Sequence, residues 1–128
     1  MRERKFKVWD KVHKKWLGTF TLKELSQSTI FIDYGERNIE IVEYTGLKDK
    51  KRTKEYPEGQ EIYEGDIVKY SAFNEQKELQ NYINPIFWEQ NFASFSVGNE
   101  HSFWALSTCE DVEVIGNIYE NPELLKND

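Results

Sequence analysis

The pattern of apolar and polar positions predicts a chain built mainly of short strands. Phe6 and Val8 alternate with Lys5 and Lys7 up to Trp9, the period of a strand with one wet face. Asp10 to Lys15 is polar, and Trp16-Leu17 resumes the apolar character, so a hairpin is expected here. Thr21 and Glu24 stand at capping-box spacing, with Leu22 and Leu25 on one face, which predicts a short helix over 22–27. The β-branched and aromatic run Ile30-Phe31-Ile32 predicts a strand, and Ile39 to Tyr44 its return after a turn at 34–38. Thr45 to Gln60 reads as a polar connection containing Lys48, Lys50, Lys51, Arg52 and Lys54. In Glu61 to Tyr70, two apolar runs flank Glu64-Gly65-Asp66, the signature of a tight turn feeding a strand.

The second half is read in the same way. Leu79, Tyr82 and Ile83 have i, i+3, i+4 spacing and predict a helix over 74–84, ended at Asn84-Pro85 because a residue before proline avoids the helical region. Strands are expected at Ile86-Phe87-Trp88, at Phe92 to Val97, at Ser102 to Leu106 and at Val112 to Ile115. Ala93, Phe95 and Val97 are expected to face one way, and Ser94 and Ser96 the other. Asn121-Pro122 has the form of an N-cap followed by proline at the first helical position. There is no internal repeat. The fold expected is β-rich α+β: a small, strongly bent sheet or SH3-like barrel with one or two short helices, in a single domain over 1–128.

Composition supports a core built from rings. Four Trp, seven Tyr and eight Phe make up 15% of the 128 residues, and large rings bury much area each. The single cysteine, Cys109, excludes an internal disulfide, the amino-terminal stretch lacks the apolar core of a signal peptide, and no apolar run is long enough for a membrane span. A cytoplasmic protein with no membrane partner is therefore expected. The net charge of −6 argues against a domain living on phosphate contacts. It is unevenly spread, since residues 1–15 carry seven basic and two acidic groups and residues 110–128 one basic and six acidic. Such ends attract each other or a neighbouring molecule.

Three stretches in order resemble the YopX family of phage and prophage proteins. They are Lys5 to Asp10; Glu43-Tyr44-Thr45-Gly46-Leu47-Lys48-Asp49 leading to Ile62-Tyr63-Glu64-Gly65-Asp66-Ile67-Val68; and Val114 to Leu125, with Gly116, Asn117, Tyr119, Asn121 and Pro122. The resemblance spans essentially the whole chain. It implies a phage-encoded, β-rich, oligomeric protein of a bacterial host cytoplasm, and it supplies no catalytic residue. In the family the Tyr44-Thr45-Gly46-Leu47-Lys48-Asp49 block runs almost directly into Ile62-Tyr63-Glu64-Gly65-Asp66, so Lys50 to Gln60 reads as an insertion. The matching residues, among them Trp9, Tyr44, Thr45, Gly46, Tyr63, Gly65 and Asp66, are turn-formers and β residues and are read as fold determinants.

Candidate chemistry is sparse. Asp66 and Asp10 are the tempting acids, yet Asx residues in turns accept backbone N–H groups. His13 and His101 are the only histidines, too few for a metal site, and the acidic neighbours of Cys109 argue against a reactive thiolate. Glu43, Asp49, Glu64 and Asp66 are the remaining route to a divalent metal. No catalytic constellation, cofactor or metal is expected. Phe87, Trp88, Phe92, Phe95, Phe103 and Trp104 cluster in the last third, and adjacent rings in a strand point to opposite faces, so both faces of that sheet should be apolar. One face forms the core, and the other needs a cover. A non-catalytic binding or assembly protein is thus expected, a homo-oligomer or the partner of a phage or host protein, with Trp88, Trp104 and the Lys50-Lys51-Arg52 run as the interaction surface. The alternative is nucleic-acid binding of SH3 or OB type, with the basic groups of 2–15 and 48–54 forming one patch.

Overall fold

A computed structural model describes residues 4–99 and 102–126. It contains β1 (Lys5–Asp10), β2 (Lys15–Thr21), α1 (Leu22–Gln27), α2 (Ile30–Tyr34), β3 (Ile39–Lys48), β4 (Glu61–Tyr63), β5 (Asp66–Phe73), β6 (Leu79–Glu89), β7 (Ser94–Gly98), β8 (Phe103–Ala105) and β9 (Glu110–Asn117). Single 3-10 turns lie at Glu36–Asn38, Leu106–Thr108 and Pro122–Leu125. The strands form two antiparallel sheets, ordered β2-β1-β3-β4 and β8-β7-β6-β5-β9, and they do not close into a barrel. The β-rich α+β class is as expected. The single bent sheet or barrel is replaced by two open sheets, because β4 and β5, two residues apart, pair in different sheets.

In the first sheet, β1 and β2 form the expected hairpin. The Thr21 hydroxyl accepts from the Glu24 amide and the Glu24 carboxylate from the Thr21 amide, so the predicted capping box starts α1. Residues 30–32 are helical rather than extended. The Thr29 hydroxyl bonds Asp33, and Ile30 is buried in a cluster with Val8 and Ile39, flanked by Leu17, Leu25 and Ile41. Three apolar residues in a row suit either structure, and packing decided the case.

The predicted helix over 74–84 is also overturned. Asn74 Oδ1 accepts from the amides of Gln76 and Glu78 and closes a turn, after which β6 pairs with β5 from Leu79↔Phe73 to Pro85↔Ile67. The helical spacing of Leu79, Tyr82 and Ile83 is coincidental, since Tyr82 faces one side of the sheet and Leu79 and Ile83 the other. Pro85 does not end the element, because it lies just before pairing with β7 begins at Ile86. Smaller differences follow the turns. Ala93 has φ +47° in the β6–β7 turn, so the strand begins at Ser94. Asn121 does not cap the last turn; its Oδ1 accepts from the Asn117 amide.

The larger core lies on one face of the second sheet. Val68, Tyr70, Ala72, Ile86, Val97 and Val112 are buried there with Ile62, Leu106 and Cys109, and Tyr82, Trp104 and Val114 pack at its edge.

Candidate functional site

The turn Glu64-Gly65-Asp66 is the joint between the sheets. The Gly65 amide donates to the Ile86 carbonyl in the second sheet, the Glu64 amide donates to the Glu43 carbonyl in the first, and the Gly65 carbonyl accepts from the Ile118 amide. Gly65 has φ +88°, and a Cβ there would lie 3.2 Å from the Tyr119 ring. Asp66 is buried and its Oδ2 accepts from the Tyr63 amide at 2.8 Å. Burial pushes its carboxyl up to about 6, against the lowering effects of that hydrogen bond and of Lys7.

Rings gather around this joint. Trp9, Trp16 and Tyr119 form a mutual cluster with centroids 4.9 to 5.7 Å apart, and Tyr44 and Tyr63 are 5.5 Å apart. The Lys7 ammonium sits 4.8 Å from the Trp16 ring and 4.5 Å from the Tyr63 ring, a cation held on two π faces. Trp16 Nε1 donates to Glu120, and Asn117 Nδ2 donates to the same carboxylate. The Asn117 bond first, then the Trp16 bond, lowers the Glu120 carboxyl. Asn117 Oδ1 in turn accepts from the Tyr119 and Glu120 amides. A Cβ on Gly116 would lie 2.6 Å from Asn121 Oδ1, so only glycine allows Asn121 to reach back. Thr45 is buried, and its hydroxyl donates to the Ile62 carbonyl and accepts from the Leu47 amide beyond Gly46. Pro122 opens the final turn.

The three stretches singled out in the sequence are thus neighbours in space, and the model of the YopX protein family matches residues 5–126. The chain belongs to the YopX protein family. No curated protein and no solved structure matches it. The YopX match covers both sheets and the joint, so the joint is part of what the matched region encodes.

Lys7 and Trp16 are the joint residues that sequence reasoning did not select. The signal for Trp16 was available, because closing the β1–β2 hairpin places it opposite Trp9. Asp49 acts at a second junction. Buried at the root of the inserted loop, its carboxylate accepts from the amides of Gln60 and Val114, while the Lys50 amide donates to the Val112 carbonyl. The loop that follows Asp49 therefore starts along β9, an edge strand of the second sheet. Among the described residues no group of three or more His, Cys, Asp or Glu gathers as metal ligands do.

Few of the other candidates are open. Asp10 is buried and accepts from the Val12 and His13 amides and from the His13 ring. Burial raises its carboxyl, but these bonds outweigh burial and the net shift is downward. His13 is largely exposed, and His101 lies outside the described residues. Burial pushes the Cys109 thiol up to about 11, against the lowering effect of a hydrogen bond with Thr108. In the basic run, Lys51 pairs with Glu113 and the Arg52 guanidinium donates to the Asp49 carbonyl, while Lys50 is exposed. Nearer the amino terminus, Arg4 pairs with Glu43, Lys5 with Glu61 and Lys11 with Glu40.

The second sheet differs. Trp104 packs 4.9 Å from Tyr82 on the core side and donates Nε1 to the Phe73 carbonyl. Trp88 is 46% exposed beside Phe95, at a cleft shared with Arg4, Glu43 and Glu64. Burial, together with the like charges of Glu43 and Glu40, raises the Glu64 carboxyl. The register puts Leu79, Ile83, Pro85 and Phe87 in one row on the opposite face, beside Phe73 and Phe103. Phe73 is 57%, Leu79 50% and Ile83 41% exposed; Phe92, in the adjoining turn and 5.8 Å from the Phe103 ring, is 70% exposed. Gly98, Phe87 and Phe103 line a cleft of about 380 Å³ there.

Proposed function

We propose that the chain is a non-catalytic binding and assembly protein that acts through the outer face of its five-stranded sheet, by self-association or by docking a protein partner. The observation that supports this most directly is the row Leu79, Ile83 and Phe87 with Phe73, Phe92 and Phe103, of which Phe73, Leu79, Ile83 and Phe92 are exposed. Contiguous exposed apolar surface of this kind marks an interaction site. Phe87 and Phe103 provide the aromatic anchors that carry binding energy in interfaces. The setting we propose is the cytoplasm of a bacterial host cell, in keeping with the phage and prophage character that the resemblance implies.

The nucleic-acid alternative draws less support. Several of the basic groups that would form its patch are matched with acids: Arg4 with Glu43, Lys5 with Glu61, Lys11 with Glu40 and Lys51 with Glu113. Cations neutralised within the fold add little to phosphate affinity.

Light scattering after size exclusion, across a concentration series, tests the proposal. A mass above that of one chain, falling to one chain in an Ile83→Lys, Phe92→Ser double variant, is the expected result. A single-chain mass up to about 1 mM, together with no protein cross-linked to this face in host lysate, overturns it.

A further inference from the structure

A cleft away from the joint, between the β5–β6 turn and β8, has a volume of about 730 Å³. That is within the range of about 300–1,000 Å³ typical of small-ligand sites. We infer that this cleft binds an uncharged, hydroxyl-rich ring ligand, a neutral saccharide.

Three features carry the inference. The first is an aromatic wall. Tyr82 and Trp104 have centroids 4.9 Å apart, Tyr70 stacks on Tyr82 at 5.5 Å, and the Trp104 indole is pinned by its bond to the Phe73 carbonyl at 3.1 Å. Rings held in this way offer apolar contact to the C–H face of a sugar ring without loss of side-chain freedom on binding.

The second feature is the polar rim. Gln76, Gln80 and Ser102 line the cleft. The Tyr82 hydroxyl donates to Gln80 Oε1 at 3.1 Å, which turns the amide nitrogen of Gln80 into the available donor. Asn74 fixes the turn that carries Gln76 through its bonds to the Gln76 and Glu78 amides. Carboxamides and hydroxyls both donate and accept, as sugar hydroxyls do, so the two sets match group for group.

The third feature is charge. Among the described residues that line the cleft none is Lys or Arg, and Glu75 is the one carboxylate. A nucleotide would find rings to stack on but no cation for its phosphate, and Glu75 would repel it. A neutral sugar meets no such penalty. The cleft borders the outer face at Phe73 and Phe103, but the inference uses the core-side rings Tyr82 and Trp104, and it survives if the protein is monomeric.

The test is titration of the full chain with maltotriose, cellotriose and chitotriose, and separately with adenosine monophosphate. Tryptophan fluorescence and the Trp104 indole N–H resonance are followed. At least one trisaccharide should bind and shift that resonance, and the nucleotide should not. A Gln76→Ala, Gln80→Ala double variant, altered only at exposed positions, should keep its melting temperature and bind the trisaccharide at least about tenfold more weakly. The inference is overturned by no trisaccharide binding up to about 10 mM. It is equally overturned by preferential binding of the nucleotide, or by trisaccharide binding that the double variant leaves unchanged.

Discussion

The two sheets solve the same problem differently. Each has one face over a hydrophobic cluster and a second face to account for. In the first sheet both faces are used: α1 and α2 supply Leu25 and Ile30 to the cluster around Val8, and the other face carries Lys7, Trp9, Val42 and Tyr44 into the joint with Trp16, Tyr63 and Tyr119. Its margins are finished with ion pairs. In the second sheet the core side is filled, and the outer side keeps Ile83, Phe73 and Phe92 in solvent. The first sheet pairs Lys5 and Lys11 with acids and the second leaves phenylalanines in solvent, and this contrast supports the proposal that the interaction surface lies on the second sheet. The joint holds the two together, so changes there should be costly to folding, and changes on the outer face should be costly only to association.

The sharpest way to break this contrast is Gly65→Val. Positive φ is poorly tolerated by a β-branched residue, and the added Cβ meets Tyr119, so a loss of about 3 kcal/mol or more is expected, read as a fall in the chemical denaturation midpoint. An unchanged midpoint would mean that the joint is not the hinge of the fold.

Asp66→Asn comes next. The folded carboxyl sits at about 6, above its ordinary value of 3.8, so the folded state binds the proton more tightly than the unfolded chain. Its contribution to stability is therefore fully present below the unfolded value and is lost as pH rises through the folded one, a swing of up to roughly 3 kcal/mol. The difference in stability between Asp66→Asn and the parent should drift across pH 4 to 6 and flatten above it. A flat difference throughout would show that Asp66 is not buried as described.

Smaller effects are expected on the surface. Ile83→Lys should move stability by no more than about 0.5 kcal/mol while reducing association, the opposite profile to Gly65→Val. A large loss of stability with unchanged association would reverse the comparison between joint and outer face. The smallest effect is Lys11→Gln, which removes an exposed pair with Glu40 and should cost about 0.5 kcal/mol or less by thermal melting.

Local signals were legible wherever a few neighbouring residues settle the conformation. The capping box at Thr21, the turn at Gly65-Asp66 and the β1–β2 hairpin could all be read, because each depends on bonds closed within a few positions. Residues 30–32 and 74–84 were misread for a common reason: their apolar spacing fits two periods, and the choice fell to partners far along the chain, Val8 for Ile30 and β5 for Leu79 to Pro85. The motif residues of the joint were read as fold determinants and they meet there in space, whereas the place of Lys7 between Trp16 and Tyr63 emerges only when β1, β2 and β4 are brought together.

The sequence by itself determined the family, the β-rich class and the turn chemistry, since these are written in residue type and short spacing. It also determined that both faces of the last strands would be apolar, because Phe87-Trp88 and Phe103-Trp104 cannot point the same way. Only the tertiary structure decided that there are two sheets, that the loop over 50–60 is held to β9 through Asp49, and that Phe73, Leu79, Ile83 and Phe92 stay exposed on the outer face of the second sheet. Those outcomes rest on pairings across long stretches of chain, where register and burial, not local preference, set the free energy.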